Sequence, residues 1–175
     1  MAFKIDREDA AIQMAGHDNY AVVEPNHLTA PRNGGVYAQL PAAEDIEILE
    51  QGTYVKYDYA NGEVNFTGKG PWYMVFNEEK LYDERKQMHR DYAMKKADAY
   101  DGVIVPRVFA MTPGDIYTTN NLAAAEYAVG DVVAPNEKGV LAAAGDGVEG
   151  LTLQVVKTYT LPDGQPAVKL QVITA

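Results

Sequence analysis

Leu151-Thr152-Leu153-Gln154-Val155-Val156-Lys157-Thr158-Tyr159, then Pro162-Asp163-Gly164, then Ala167-Val168-Lys169-Leu170-Gln171-Val172-Ile173 is the stretch that decides the fold class. β-Branched and aromatic residues fit the pleated strand, and Asp-Gly supplies turn geometry between the runs. Two strands joined as a hairpin follow. In the second run Val168, Leu170 and Val172 alternate with Lys169, Gln171 and Ile173, so one face is core and the other mostly wet.

Working upstream, short apolar runs recur at 103–105, 107–111, 114–119, 129–134 and 139–142, separated by Gly, Pro, Asn and Asp. This spacing predicts a small C-terminal β-barrel or sandwich over residues 101–175. Pro106 lacks a backbone donor and marks its strand as an edge or a bulge. Residues 46–100 read as a β-hairpin region with one helix. Residues 53–59 and 63–67 flank Asn61-Gly62, which favours the positive φ angles of a type I′ turn. Trp72-Tyr73-Met74-Val75-Phe76 reads as a buried third strand. Residues 78–99 lack Gly and Pro and are rich in Glu, Lys, Arg, Met and Ala, which predicts a helix. Its Glu78, Glu79, Asp83 and Glu84 interleave with Lys80, Arg85, Lys86 and Arg90, the pattern of a solvated salt-bridged face and not of a buried carboxylate pair.

Residues 1–45 differ. Pro25, Pro31 and Pro41 exclude a long helix or a central strand, and residues 6–14 suit a short helix that starts at Asp6. Phe3, Ile5, Tyr20, Val22, Val23, Leu28, Tyr37 and Leu40 nevertheless carry too much apolar surface to stay wet. The segment reads as an extended arm that lies along its own globule or along a neighbouring subunit. With Tyr54, Tyr57, Tyr59 and Trp72 from the aromatic-rich middle, these residues are the expected protein interface, because tyrosine buries area while keeping a polar tip. The overall expectation is a mainly β (α+β) protein.

Composition narrows function. The 175 residues contain no cysteine, 15 basic and 25 acidic side chains, for a net charge of −10. Thiol chemistry, disulfides and Cys-type zinc sites are excluded. The deficit is spread along the chain, −6 up to Tyr100 and −4 beyond it. It argues against nucleic acid as a partner. No run approaches a membrane span, and the charged opening residues do not suit a secretory h-region.

His17, His27 and His89 lack the spacing of converging metal ligands. Asp131, Asp146 and Glu149 lie near glycines but lack the calcium-loop pattern. Gly145-x-Gly147-x-x-Gly150 precedes a strand, so no helix N-terminus is there to hold a pyrophosphate. Val133-Ala134-Pro135 with Gly139-Val140-Leu141 is reminiscent of biotinyl and lipoyl carriers, but the hairpin tip has no lysine. The reading is a non-enzyme with no cofactor and no metal.

Gly114-Asp115-Ile116-Tyr117-Thr118-Thr119-Asn120-Asn121, Tyr127-Ala128-Val129-Gly130-Asp131-Val132-Val133 and Gly139-Val140-Leu141 resemble the head decoration and capsid auxiliary proteins of tailed bacteriophages. In that group a Gly-Asp strand entry, a Gly-x-Leu turn and a closing hairpin recur in small β domains. The resemblance covers residues 103–175; the first 100 residues match no family pattern. It implies a virion protein made in the host cytoplasm that binds the major capsid protein lattice in many copies, often as trimers, and transfers no catalytic residue. Other placements in the same setting are a head-fibre base, a minor capsid protein or a tail component. The reading from a different class is a monomeric ligand-binding or adhesion β domain.

Overall fold

The computed structural model describes residues 2–7, 20–77, 92–145, 147–161 and 164–175. The fold is mainly β, as expected, and is built on two large open sheets. The six-stranded sheet runs β13 (Leu141–Ala143), β12 (Val132–Pro135), β14 (Thr152–Thr160), β15 (Pro166–Thr174), β10 (Ile116–Thr119), β2 (Val23–His27). The five-stranded sheet runs β3 (Val36–Tyr37), β9 (Val108–Ala110), β7 (Trp72–Val75), β5 (Tyr54–Asp58), β6 (Glu63–Asn65). Two small ladders complete the described strands: β1 (Phe3–Ile5) with β11 (Ala125–Tyr127), and β4 (Ile48–Glu50) with β8 (Ala93–Lys95). Every pairing between these strands is antiparallel. Neither large sheet closes, so the barrel alternative does not hold.

The deciding hairpin forms as read. β14 and β15 are nine residues each, with Val155 opposite Leu170 and Lys157 opposite Lys169; the register shift between them accommodates Val156. Val168, Leu170 and Val172 are buried and Ile173 is exposed. The inner face of this sheet and one face of the five-stranded sheet share a single core, to which Tyr54, Met74 and Phe109 come from one side and Tyr117, Leu153, Val155, Leu170 and Val172 from the other. At its centre the Tyr54 and Tyr117 hydroxyls hydrogen-bond each other at 2.6 Å.

The second face of the five-stranded sheet is also covered. Val55, Val64, Val75 and Val108 pack against Ala43, Ile46, Leu49 and Ile104. Burial on both faces explains why Met74, Val75 and Phe76 are continuously apolar, while Trp72 and Tyr73 at the start of the strand are half-buried.

Three expectations need correction. First, of the helix predicted over 78–99, residues 78–91 lie outside the described residues, but Ala93–Lys95 is strand β8 and Lys96–Asp98 a 3-10 turn. Pairing with β4 overrides the helix propensity of Ala, Met and Lys. The described α-helix is instead α1 (Ala30–Asn33), with Pro31 in its first turn and Gly34 as a left-handed cap.

Second, the Asn61-Gly62 hairpin forms but not with a type I′ turn, because Gly62 takes a positive φ and Asn61 does not. Asp58 pairs with Glu63, leaving a four-residue loop in which Gly62 takes φ 70° and its N–H donates to the Asp58 carbonyl.

Third, residues 103–107 form no strand, and β9 starts after Pro106.

Of the two surfaces open to the arm, its described part lies on its own chain. β1 pairs with β11, β2 with β10 and β3 with β9. The predicted short helix at 6–14 falls largely outside the described residues.

A polar network fixes the arm. Arg7 pairs with Glu50, whose carboxylate also accepts the Ala21 N–H at 3.3 Å. Asn120 accepts the Val22 N–H at 2.8 Å and donates to Gln165 at 2.8 Å, while Asn121 donates to the Gln51 carbonyl at 2.8 Å. Buried polar groups satisfied in this way hold the segment against both sheets without stranded donors. The sheets therefore do not follow the sequence boundaries at residues 45 and 100.

Candidate interaction surface

Strand alternation in β5 separates the expected interface aromatics. Tyr54 turns inward to the shared core, whereas Val55 and Tyr57 turn to the opposite face. Tyr57 pairs across to Val64, and Tyr73 of β7 lies next to it; their rings meet edge-to-face at 5.1 Å. Tyr37 from β3 closes the group, edge-to-face with Tyr57 at 6.1 Å and with Tyr73 at 5.6 Å. Beyond the strand end, Tyr59 stacks on Tyr57 at 5.5 Å and 22°. Such offset and T-shaped pairs each add about 0.5–1.5 kcal/mol to area burial.

The outcome is graded exposure. Tyr57 is buried and Tyr59 is 74% exposed. Burial raises the Tyr57 pKa, opposed by the Gln39 backbone and reinforced by Tyr59, Tyr73 and Tyr37. Burial likewise raises that of Tyr73. Both phenols are neutral at physiological pH.

The loop that carries Tyr59 is locally braced. The Asp58 carboxylate accepts the Ala60 N–H at 3.0 Å, the Asn61 N–H at 3.3 Å and the Asn61 side-chain amide at 3.0 Å. The Asn61 backbone bond, chief among these, holds the Asp58 pKa below the usual carboxylate range. Across from the loop, residues 67–71 form the other wall of an open cleft of about 580 Å³ lined by Tyr57, Tyr59, Tyr73, Lys69 and Pro71. Gly68 stands close to this wall because a side chain there would press on the Tyr57 carbonyl, at 3.1 Å from a Cβ. The cleft lining combines three tyrosines with one acidic residue, Asp58, and one basic residue, Lys69.

The remaining expected interface residues divide clearly. Ile5, Val22, Val23, Tyr54 and Tyr57 are buried within the chain. They are core here: Ile5 and Val23 turn inward from the paired arm strands β1 and β2, Val22 packs with Leu161 and Ala167, and Tyr54 and Tyr57 are buried on the two faces of β5. Phe3, Tyr20, Leu28, Tyr37, Leu40 and Trp72 are half-buried. Trp72 lies on the opposite face from Tyr73, with the Lys56 ammonium 4.3 Å from its ring, and Tyr20 has Lys95 at 4.8 Å. Tyr59 is the one large exposed member of the expected set.

Sequence reasoning missed two exposed places. Tyr100 and Val103 are exposed at the 3-10 turns after β8, and Val129, Val132 and Val148 are exposed in and around β12 and the approach to β14. The signal for Val132 was present: alternation with the buried Val133 turns it outward.

His27 is exposed on β2, while His17 and His89 lie outside the described residues. Asp131 accepts the Ala128 N–H at 2.8 Å, which is turn chemistry. Among the described residues no three His, Asp or Glu side chains converge as a metal site, and no helix is long and apolar enough to cross a membrane. No protein family, curated protein or solved structure matches the chain.

Proposed function

We propose that this chain is a non-enzymatic structural protein of a tailed-bacteriophage virion that decorates and cements the major capsid lattice and associates with its own copies. One observation carries the choice of docking surface: Tyr59, 74% exposed, is held rigid on a braced loop above the buried Tyr57. A preformed aromatic anchor next to a cleft is the kind of group that dominates interface energy, since little entropy is lost on docking. The diffuse charge of −10 supports the same reading, because a protein displayed in many copies around packaged DNA must not adhere to stray nucleic acid. The phrases at 114–121, 127–133 and 139–141 supply the setting.

A second reading draws on the cleft itself. At about 580 Å³ it has the size of a small-molecule site, which fits a monomeric ligand-binding or adhesion domain. Sedimentation separates the two. The decoration reading expects the purified chain to travel with intact particles and to self-associate in light scattering. A strict monomer that ignores particles and gains melting temperature with a small ligand would replace it.

A further inference from the structure

The chain has two Asn-Gly pairs, Asn33-Gly34 and Asn61-Gly62. Glycine after asparagine leaves its backbone nitrogen unhindered, so the pair deamidates readily in an unconstrained chain. The fold restrains the two differently. Asn33 ends α1, and the Gly34 N–H is bonded to the Ala30 carbonyl as a helix cap. Asn61 is exposed at the hairpin tip, where a single residue holds both reacting groups. The Gly62 N–H donates to the Asp58 carbonyl at 2.9 Å, and the Asn61 side-chain amide donates to Asp58 Oδ2 at 3.0 Å.

We infer that Asn61 is a latent deamidation site of the folded chain and that Asp58 is the latch that keeps it closed. The reaction needs the Gly62 nitrogen to lose its proton to solvent and bond to Asn61 Cγ. The Cγ–Nδ2 bond then breaks, and nitrogen leaves as ammonia after taking a proton from solvent. Water opens the resulting five-membered imide at either carbonyl, giving aspartate or isoaspartate. While the nucleophile and the leaving amide are both anchored on Asp58, the nitrogen cannot swing onto Cγ without first breaking two hydrogen bonds, one of them charge-assisted. Deamidation once the latch opens would add a negative charge two residues from Tyr59, and isoaspartate would also lengthen the loop by one methylene. The inference stands whatever the cleft binds.

The test follows both pairs by peptide mass spectrometry and isoaspartate methylation at mildly alkaline pH. The samples are the folded chain, the chain in urea, and folded Asp58→Ala and Asp58→Asn. In urea both pairs should react at similar rates. Folding should slow Asn61 by roughly tenfold or more, the scale of losing such bonds. Asp58→Ala removes the carboxylate half of the latch and keeps the backbone carbonyl that holds the Gly62 N–H, so it should move Asn61 part of the way to the urea rate and leave Asn33 unchanged, with Asp58→Asn moving it less. Asn33 serves as an internal reference for global unfolding. The inference is overturned if folded wild-type reacts at Asn61 as fast as in urea, if neither variant speeds Asn61, or if both pairs accelerate together.

Discussion

The two large sheets solve the problem of their faces in opposite ways. The six-stranded sheet buries one side and wets the other: Leu153, Val155, Leu170 and Val172 face the core, while Gln154, Lys169 and Gln171 stay partly or fully solvated. The five-stranded sheet is walled in on both sides, by the shared core through Tyr54, Met74 and Phe109 and by a second cluster through Val55, Val75 and Val108. A sheet with a wet face tolerates change there. A sheet without one can expose its aromatics only at the strand ends, and that is where Tyr59 emerges.

The comparison can be broken most forcefully where the two sheets touch. Gly139, in the turn from β12 to β13, has φ 70° and accepts the Tyr54 N–H at 2.8 Å. A Cβ there would lie 1.9 Å from the Tyr54 carbonyl oxygen. Gly139→Ala should cost about 2–5 kcal/mol, combining left-handed strain with overpacking, as read by denaturant unfolding. A loss below about 0.5 kcal/mol, the level of an ordinary surface change, would mean that the sheets are not clamped at this point.

The hydroxyl pair between the sheets comes next. Tyr117→Phe leaves the Tyr54 hydroxyl buried without its partner and should cost about 1–3 kcal/mol, whereas the double variant with Tyr54→Phe should be nearly neutral. Burial raises both pKa values above the ordinary 10.0. The pair's stabilisation is therefore complete below pH 10 and is lost as pH rises beyond it, because the unfolded phenols ionise first. Melting temperature should fall above that pH in the wild type and fall less in the double Phe variant.

The smallest effect belongs to the wet face. Lys157 and Lys169 are directly opposed on β14 and β15. Lys157→Glu should stabilise by about 0.2–1 kcal/mol in thermal unfolding, because it replaces a like-charge cross-strand pair with an opposite one. Destabilisation would mean that this face is occupied.

What could be read in the sequence tracks the same contrast. Alternation over 168–173 announced a half-wet strand, and the unbroken apolar run at 72–76 announced a buried one. The short strands β1, β2 and β3 carry too few residues to show a period, and Pro25 within β2 is acceptable only because that strand is an edge. β8 could not be found, since its residues favour helix and only β4 makes them a strand. For the surface, the crowd of tyrosines was visible, but which ring faces out depends on where β5 ends. Asp58 closes the ladder with Glu63, and Tyr59 falls just beyond.

The docking role of that ring is tested most directly by particle occupancy of Tyr59→Ala. The ring makes one stacking contact and is 74% exposed, so the melting temperature should stay close to that of the wild type. The account predicts that the wild-type chain co-sediments with intact phage particles and that the folded variant is lost from them. Equal occupancy of the two would contradict it.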